Sequence, residues 1–231
     1  MKRTIVLVLF LVVLCLSFIP IIKGKYSDNL AQTPQSVTVI LDAGHGGKDG
    51  GASSASGIIE KNVVLSVTKK VEEYLKMQGM NVVLTRDGDY DLASPEAKKR
   101  KTQDLSKRVQ IMNSQENGLV VSIHANAITN STWSGAQTFY DPKKLENKKL
   151  ATAIMNSMKT NLSSTTREPK SISSLFILKN SEVPSTLVEI GFLSNPEEAE
   201  KLNTQAYQQE IAYAIYEGIL YYLDNPDMVV E

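Results

Sequence analysis

The sequence contains little cysteine and little histidine, and it has no surplus of charge of either sign. Only one of its 231 residues is cysteine, which excludes a disulfide framework and any cysteine-built zinc or iron–sulfur site. Its two histidines exclude a histidine-rich metal-binding tract. The 25 Lys and Arg residues balance the 25 Asp and Glu residues, so charge gives no argument for a nucleic-acid partner. Hydrophobic residues still make up 42% of the chain, which is enough for a packed core.

The N-terminal residues differ from the rest in composition. Two basic residues precede an apolar run of 18 residues from Ile5 to Ile22. A basic start before an apolar stretch is typical of a secretory signal, and the run is at the lower limit of length for a membrane-spanning helix. A buried core helix is the alternative, but the terminal position favours export. We therefore predict a signal peptide or signal anchor over residues 1–25 and a polar linker over 26–36.

The zero net charge of the whole chain hides a difference between this segment and the rest. It holds four basic and no acidic residues, so the chain beyond it has 21 basic and 25 acidic residues, a net charge of −4. The lone cysteine also lies within the segment. We expect a mildly acidic, exported or tethered domain that contacts the membrane only through its N-terminal segment.

The remaining residues alternate between short apolar runs and amphipathic stretches of helical period. We predict helices from Glu60 to about Gly79, over 104–113, over 144–162 and over about 205–223. The predicted strands are 37–41, 81–85, 119–123, 135–140, 175–178 and 185–190, with a long loop over 86–102. Alternating strands and helices predict one α/β domain over residues 37–223, with a twisted, mostly parallel sheet of about six strands flanked by helices, and a tail over 224–231.

Both histidines directly follow predicted strands. His45 lies in a glycine-rich turn after the first strand, and His124 follows the third. Open α/β sheets bind ligands beyond the carboxyl ends of their strands, so two histidines at strand ends indicate one shared site, although a single such histidine is more often structural. Two imidazoles do not complete a catalytic zinc site, which usually has three protein ligands.

Polar residues at the same end of the sheet are candidates for completing this site. Glu60 opens the first helix, and its spacing alone favours a simpler role at the helix N-terminus, worth about 0.3–1 kcal/mol. Glu189 lies in the apolar strand 185–190, where a carboxylate is costly unless it is paired or linked to a metal. Arg86 and Asn126 could bind substrate, and a structural role stays open for both.

Five short motifs contain these residues in order along the chain. They are Asp-Ala-Gly-His-Gly-Gly (42–47), Glu-Lys-Asn (60–62), Thr-Arg (85–86), Ser-Ile-His-Ala-Asn (122–126) and Val-Glu-Ile-Gly-Phe-Leu-Ser-Asn (188–195). Together they resemble the motifs of the zinc-dependent N-acetylmuramoyl-L-alanine amidases of the amidase-3 family, over about residues 37–223. The resemblance implies one zinc ion held by His45, Glu60 and His124, with Glu189 as the catalytic glutamate.

Two further stretches, 133–140 and 165–167, resemble the germination-specific spore-cortex amidases of that family. This resemblance implies a peptidoglycan substrate, cut at the amide bond between the lactyl group of N-acetylmuramic acid and L-alanine. It also implies action outside the cytoplasmic membrane, at the developing spore cortex, during the maturation that forms muramic lactam. We expect targeting to depend on the N-terminal segment or on an accessory protein.

Two other functions remain compatible with the residues. A zinc peptidase or carboxypeptidase acting on wall peptides would use the same types of ligand. A membrane-tethered wall-binding protein with a vestigial site is a third reading, although the presence of all four proposed functional residues argues against it. The basic run Lys98–Lys101 is either a solvated loop or a contact for anionic wall polymer or a partner, and Trp133 either packs on the next strand or stacks on a sugar.

Overall fold

The computed structural model describes residues 37–162 and 164–230. The predicted signal or anchor over 1–25 and the predicted linker over 26–36 lie outside the described residues. Within the described part of the chain, no helix combines the length and apolar character needed to cross a membrane.

Six strands form one mixed sheet in the order β2-β1-β3-β6-β4-β5. Strand β1 pairs in parallel with β2 and β3, and β3 pairs in parallel with β6. Strand β4 pairs antiparallel with β6, and the short β5 pairs in parallel with β4, so these two strands run against the other four. The strands are β1 (Thr38–Ala43), β2 (Asn81–Leu84), β3 (Gly118–Asn126), β4 (Gln137–Tyr140), β5 (Lys170–Ser171) and β6 (Ser185–Phe192). The predicted α/β domain with a mostly parallel sheet of about six strands is confirmed.

Helices cover both faces of the sheet. In the described residues they are α1 (Glu60–Met77), α2 (Arg100–Asn113), α3 (Leu145–Leu162), α4 (Phe176–Asn180), α5 (Pro196–Leu202) and α6 (Gln205–Asp224). Successive side chains of β1 point to opposite faces, because a strand has a period of two residues. Val39 and Leu41 join the large core formed with α1, α3 and α6, whereas Ile40 packs with Met112 of α2 and Ile177 of α4.

One predicted strand is wrong. Residues 175–178 do not form a strand: Leu175 caps the short helix α4, and Ile177 and Leu178 are buried. A run of four apolar residues is too short for its periodicity to distinguish a strand from a helix. Packing against β6 and α2, and not the local sequence, therefore decides that this segment is helical.

Helix α2 begins earlier than its apolar pattern indicates. It starts at Arg100 rather than Asp104, so the end of the predicted loop is helical. The first turn is polar and shows no hydrophobic period, but Arg100 donates to Asp91 across 2.8 Å and so holds the turn to the preceding loop. The two-residue β5 is exposed at the edge of the sheet and has no pattern that predicts it.

Helices α3 and α6 approach each other closely at Gly218. A Cβ placed on Gly218 would lie 2.5 Å from the Cα of Ile154 in α3. In an open helix, replacing glycine by alanine stabilises by roughly 1 kcal/mol. Here we expect Gly218→Ala to lower the free energy of unfolding by about 1–3 kcal/mol, because the two helices must separate.

Urea denaturation followed by circular dichroism measures this effect. Glu210→Ala changes an exposed position of the same helix and serves as the control. A Gly218→Ala variant as stable as the parent protein would show that the two helices are not in backbone contact.

Candidate active site

His45 lies in a tight turn built from glycines. Its φ is +60°, in the left-handed region that residues other than glycine rarely adopt. A Cβ on Gly44 would lie 2.3 Å from the His124 ring, and one on Gly51 would lie 2.4 Å from Oε2 of Glu60. The glycines therefore leave the space in which two imidazoles and a carboxylate approach one another.

The structure brings together three of the predicted site residues. Oε1 of Glu60 lies 3.2 Å from Nε2 of His45 and 3.0 Å from Nδ1 of His124. The two imidazole rings meet edge to face, with centroids 5.0 Å apart. One carboxylate oxygen thus contacts one nitrogen of each imidazole at the carboxyl ends of β1 and β3.

Glu60 is held by backbone donors as well as by the histidines. Its Oε2 accepts from the N–H of Ala52 (2.8 Å), and its Oε1 from the N–H of Ala125 (3.1 Å). Burial alone would raise the pKa of Glu60, but the contacts with His124 and His45 hold it well below its ordinary value. The side chain opens α1, as the sequence indicates, and its carboxylate points into the site.

Glu189 lies beside this group on β6. It is the register partner of His124 on β3 and of Gln137 on β4, so one row of side chains crosses three strands. Its Oε2 is buried and has no hydrogen-bond partner among the described residues. Burial raises the pKa of Glu189 to about 7; His124 opposes the rise, and the negative charge of Glu60 adds to it. A carboxyl group with such a pKa is suited to take up and return a proton near neutral pH.

The donor set fits a divalent metal ion. One ligand atom from each of His45, Glu60 and His124 lies within 4.8 Å of the others. Two imidazole nitrogens and one carboxylate oxygen are a ligand set of catalytic metal sites that leave a position open for water or substrate. The glycine turn provides the room, and the unpartnered oxygen of Glu189 lies on the neighbouring strand.

Asp49 is a site residue that the sequence reasoning missed. Its Oδ1 lies 3.0 Å from Nδ1 of His45, the ring nitrogen that faces away from Glu60. The distance is that of an ion pair, because Nδ1 makes no hydrogen bond among the described residues. The negative charge of Asp49 raises the basicity of a ligating imidazole. The available signal was an acidic residue four positions after His45 in the same glycine-rich turn.

Arg86 is buried and directed at the backbone of the site. Its guanidinium donates to the carbonyls of Ala43 (2.9 Å), Gly44 (2.8 Å), Lys61 (3.0 Å) and Gly88 (2.9 Å). Of the two roles that the sequence left open, these contacts support the structural one, since the donors are occupied by backbone carbonyls, two of which directly precede His45.

Asn126 lies at the end of β3, past an irregularity in the pairing of β3 with β6. Its backbone carbonyl accepts from Leu193, and the residue is half-buried. Contact with substrate stays a prediction for this residue.

A second buried arginine, Arg108 of α2, supports the same turn. It donates to Asp42 (2.8 Å), to Asp104 (2.9 Å) and to the carbonyls of Ala43 and His45. Asp42 also accepts from the hydroxyls of Ser122 and Thr85, each at 2.6 Å. Burial alone would raise the pKa of Asp42, but Arg108 and the two hydroxyls hold it below its ordinary value.

Trp133 lies on the loop between β3 and β4 and is half exposed. The guanidinium of Arg167 lies 5.4 Å from its ring centroid and 5.3 Å from that of Phe192. Arg167 also donates to the carbonyl of Gly135 across 2.7 Å. Glu198 accepts from the N–H groups of Gly135 (2.8 Å) and Phe192 (2.7 Å), which fixes the loop to the end of β6.

Comparison with known proteins now identifies this arrangement. The sequence model of the Amidase_3 family, described as N-acetylmuramoyl-L-alanine amidase, matches residues 39–221. The chain belongs to this amidase family. It is 44% identical over 209 residues to the germination-specific N-acetylmuramoyl-L-alanine amidase of Bacillus subtilis, covering 87% of each chain.

Solved structures of other amidases share the fold. The CwlD amidase from Clostridioides difficile, solved in complex with the GerS lipoprotein, is 38% identical, with a TM-score of 0.78 over 81% of this chain and 98% of that one. The N-acetylmuramoyl-L-alanine amidase from Clostridium difficile 630 is 31% identical, with a TM-score of 0.74 over 82% and 98%. The family resemblance drawn from the five motifs is confirmed.

The buried pair of Asp42 and Arg108 leads to a prediction about the free energy of unfolding. Removing one partner of a buried ion pair leaves the other charge unpaired, so we expect Asp42→Asn to lower the free energy of unfolding by about 3 kcal/mol at pH 7. The pKa of Asp42 is lowered in the folded protein, so its stabilisation is present above the unfolded-state pKa of about 3.9 and is lost as pH falls through the folded-state value.

Urea titrations between pH 7 and pH 2 test this prediction, with the exposed Asp227→Asn as control. The difference between parent and Asp42→Asn should shrink below about pH 4. A difference that is constant over the whole range would contradict an ionised Asp42.

Proposed function

We propose that the protein is a zinc-dependent hydrolase that cuts the amide bond between the lactyl group of N-acetylmuramic acid and L-alanine in peptidoglycan. The observation that carries the proposal is the grouping of His45, Glu60 and His124 beside a buried glutamate with an unpartnered oxygen. Membership of the amidase family supports this choice of bond.

His45, Glu60 and His124 would hold the zinc ion. When bound, zinc supplies a Lewis acid for the amide carbonyl and lowers the pKa of a water molecule. Asp49 lies 3.0 Å from the far nitrogen of His45, and its negative charge raises the basicity of that imidazole. Two neutral imidazoles and one carboxylate leave a net positive charge there, which favours the charge that develops on the carbonyl oxygen.

Glu189 is the proton carrier in this proposal. It takes a proton from the attacking water and returns it to the nitrogen of L-alanine as the C–N bond breaks. Its position next to His124 in the sheet places it close to both the attacking water and the leaving nitrogen. Burial raises its pKa to about 7, so the carboxyl group can hold the proton near neutral pH.

The biological setting is the second part of the proposal. Similarity to a germination-specific amidase supports action on the spore cortex, outside the cytoplasmic membrane, in the maturation that produces muramic lactam. The CwlD amidase was solved with a lipoprotein, and we include an accessory protein as a partner of this chain. Cortex from spores that carry an inactive variant should lack muramic lactam, as measured by mass spectrometry of cortex fragments.

Replacement of the proton carrier tests the chemistry. We expect Glu189→Gln to retain zinc and to lose about 10²–10⁴-fold in rate, because the amide cannot accept the proton. The matched control is Glu182→Gln, which changes an exposed side chain just before the same strand.

Mass spectrometry of the digested peptidoglycan identifies the bond that is cut. Release of an intact stem peptide supports the amidase. Shortened stem peptides would show a peptidase instead, and unchanged activity of Glu189→Gln would remove that residue from the mechanism.

Removal of a ligand tests the metal site. We expect Glu60→Ala to abolish stoichiometric zinc binding, because only two ligands remain and the N–H groups of Ala52 and Ala125 lose their acceptor. Glu73→Ala, at an exposed position of α1, should bind zinc like the parent protein. Zinc content after dialysis is measured by inductively coupled plasma mass spectrometry, and a zinc-loaded Glu60→Ala would refute the ligand assignment.

A further inference from the structure

A cleft beside the metal-ligand group is not used by the chemistry described above. It encloses about 160 Å³ and is lined by His45 and His124, by Leu175–Ile177 at the start of α4, and by Lys101 of α2. We call it the Lys101 cleft. Because both histidines line it, whatever occupies the cleft lies next to the reacting bond.

Lys101 is the less firmly held of the two lining cations, since its ammonium forms a long ion pair with Asp49. The other lining cation, Arg108, gives its donors to Asp42, Asp104 and two carbonyls. The ammonium of Lys101 is 3.6 Å from Oδ2 of Asp49, beyond hydrogen-bond distance, and its side chain is 71% exposed. An anion that enters the cleft therefore meets a cation that does not have to break an existing hydrogen bond.

Lys101 lies one carboxylate away from the imidazole of His45. Asp49 is 3.0 Å from Nδ1 of His45 through Oδ1 and 3.6 Å from the Lys101 ammonium through Oδ2. An extended peptide advances about 3.5 Å per residue. The free carboxylate on the second residue of a muramoyl peptide, a glutamate joined onward through its side chain, would reach this ammonium with L-alanine at the reacting bond.

The walls of the cleft also suit a peptide better than a sugar. Phe176 is 40% exposed and, with Leu175 and Ile177, presents an apolar wall to the small methyl group of alanine. The exposed ring suited to a sugar, Trp133, lies instead on the loop fixed to the end of β6 by Glu198.

We propose that the Lys101 cleft binds the leaving peptide and that Lys101 pairs with the carboxylate of its second residue. The enzyme would then select acidic stem peptides over those in which this carboxylate is amidated. This inference rests on the proposed amidase function and adds to it the residue that sets peptide preference.

A pair of substrates tests the inference with the full-length, zinc-loaded protein. N-acetylmuramoyl-L-alanyl-γ-D-glutamyl-L-lysine carries the free α-carboxylate, and N-acetylmuramoyl-L-alanyl-D-isoglutaminyl-L-lysine carries an amide in its place. In both compounds the side-chain carboxyl group of the second residue is joined to lysine. We expect the parent protein to prefer the acid by about tenfold in kcat/KM, mostly through KM, because one charge-assisted hydrogen bond is lost with the amide. Lys101→Met should remove the preference by lowering only the rate on the acid.

Lys98→Met is the matched control. It removes the same charge from the same basic run, at an exposed position that does not line the cleft, and should keep the preference. A second readout avoids turnover: calorimetric titration of Glu189→Gln with L-alanyl-D-glutamate should show weaker binding when Lys101→Met is added. The thermal stability of each variant is followed by circular dichroism.

Three outcomes would overturn the inference. Equal losses on acid and amide substrates would mean that Lys101 acts through Asp49 on His45. Equal effects of Lys98→Met and Lys101→Met, together with competition by poly(glycerol phosphate), would mean general attraction of anionic polymer. Unchanged binding of the dipeptide after Lys101→Met would show that Lys101 does not pair with its carboxylate. If the parent protein cut neither substrate while the dipeptide still bound through Lys101, the proposed function would fail and the subsite would stand.

Discussion

The buried ion pair between Asp42 and Arg108 is the constraint on which the site depends. Asp42 lies near the end of β1, and its carboxylate joins Arg108 of α2 to Ser122 of β3 and to Thr85 just after β2. The same guanidinium then reaches the carbonyl of His45. Burying these charges is costly, and the cost is offset only because every oxygen of Asp42 has a donor. The pair thus fixes the relative position of three strand ends, and the two histidines predicted to hold the metal lie at two of them.

Much of this arrangement could be predicted from strand pattern. His45, His124 and Glu189 could be placed at one edge because each belongs to, or directly follows, an apolar run with the character of a strand. Glu60 is different, because an acidic residue in the first turn of a helix has a sufficient local explanation. Only the resemblance to the amidase motifs favoured a role as metal ligand over a role at the helix N-terminus. The contacts with both histidines now show where the carboxylate points.

The residues that support the site left weaker signals. Asp104 and Arg108 are four residues apart on a helix, a spacing that reads equally well as a solvated surface pair. Their burial depends on β1 passing beneath α2, which no local pattern encodes. The start of α4 is a similar case, since Leu175–Leu178 became a helix through packing against the second face of the sheet. Tertiary contacts decided each of these outcomes.

The turn that carries His45 is held by side chains from distant parts of the chain. Arg86 reaches Gly44 from 42 residues away, and Arg108 reaches His45 from 63 residues away. The turn itself contains a strained histidine and several glycines, which favour many other conformations when the chain is unfolded. Its shape therefore depends on the docking of α2 and of the segment after β2, because the side chains that hold it come from there. A chain truncated before residue 108 would contain His45 and Glu60 and would still lack the geometry that brings them together.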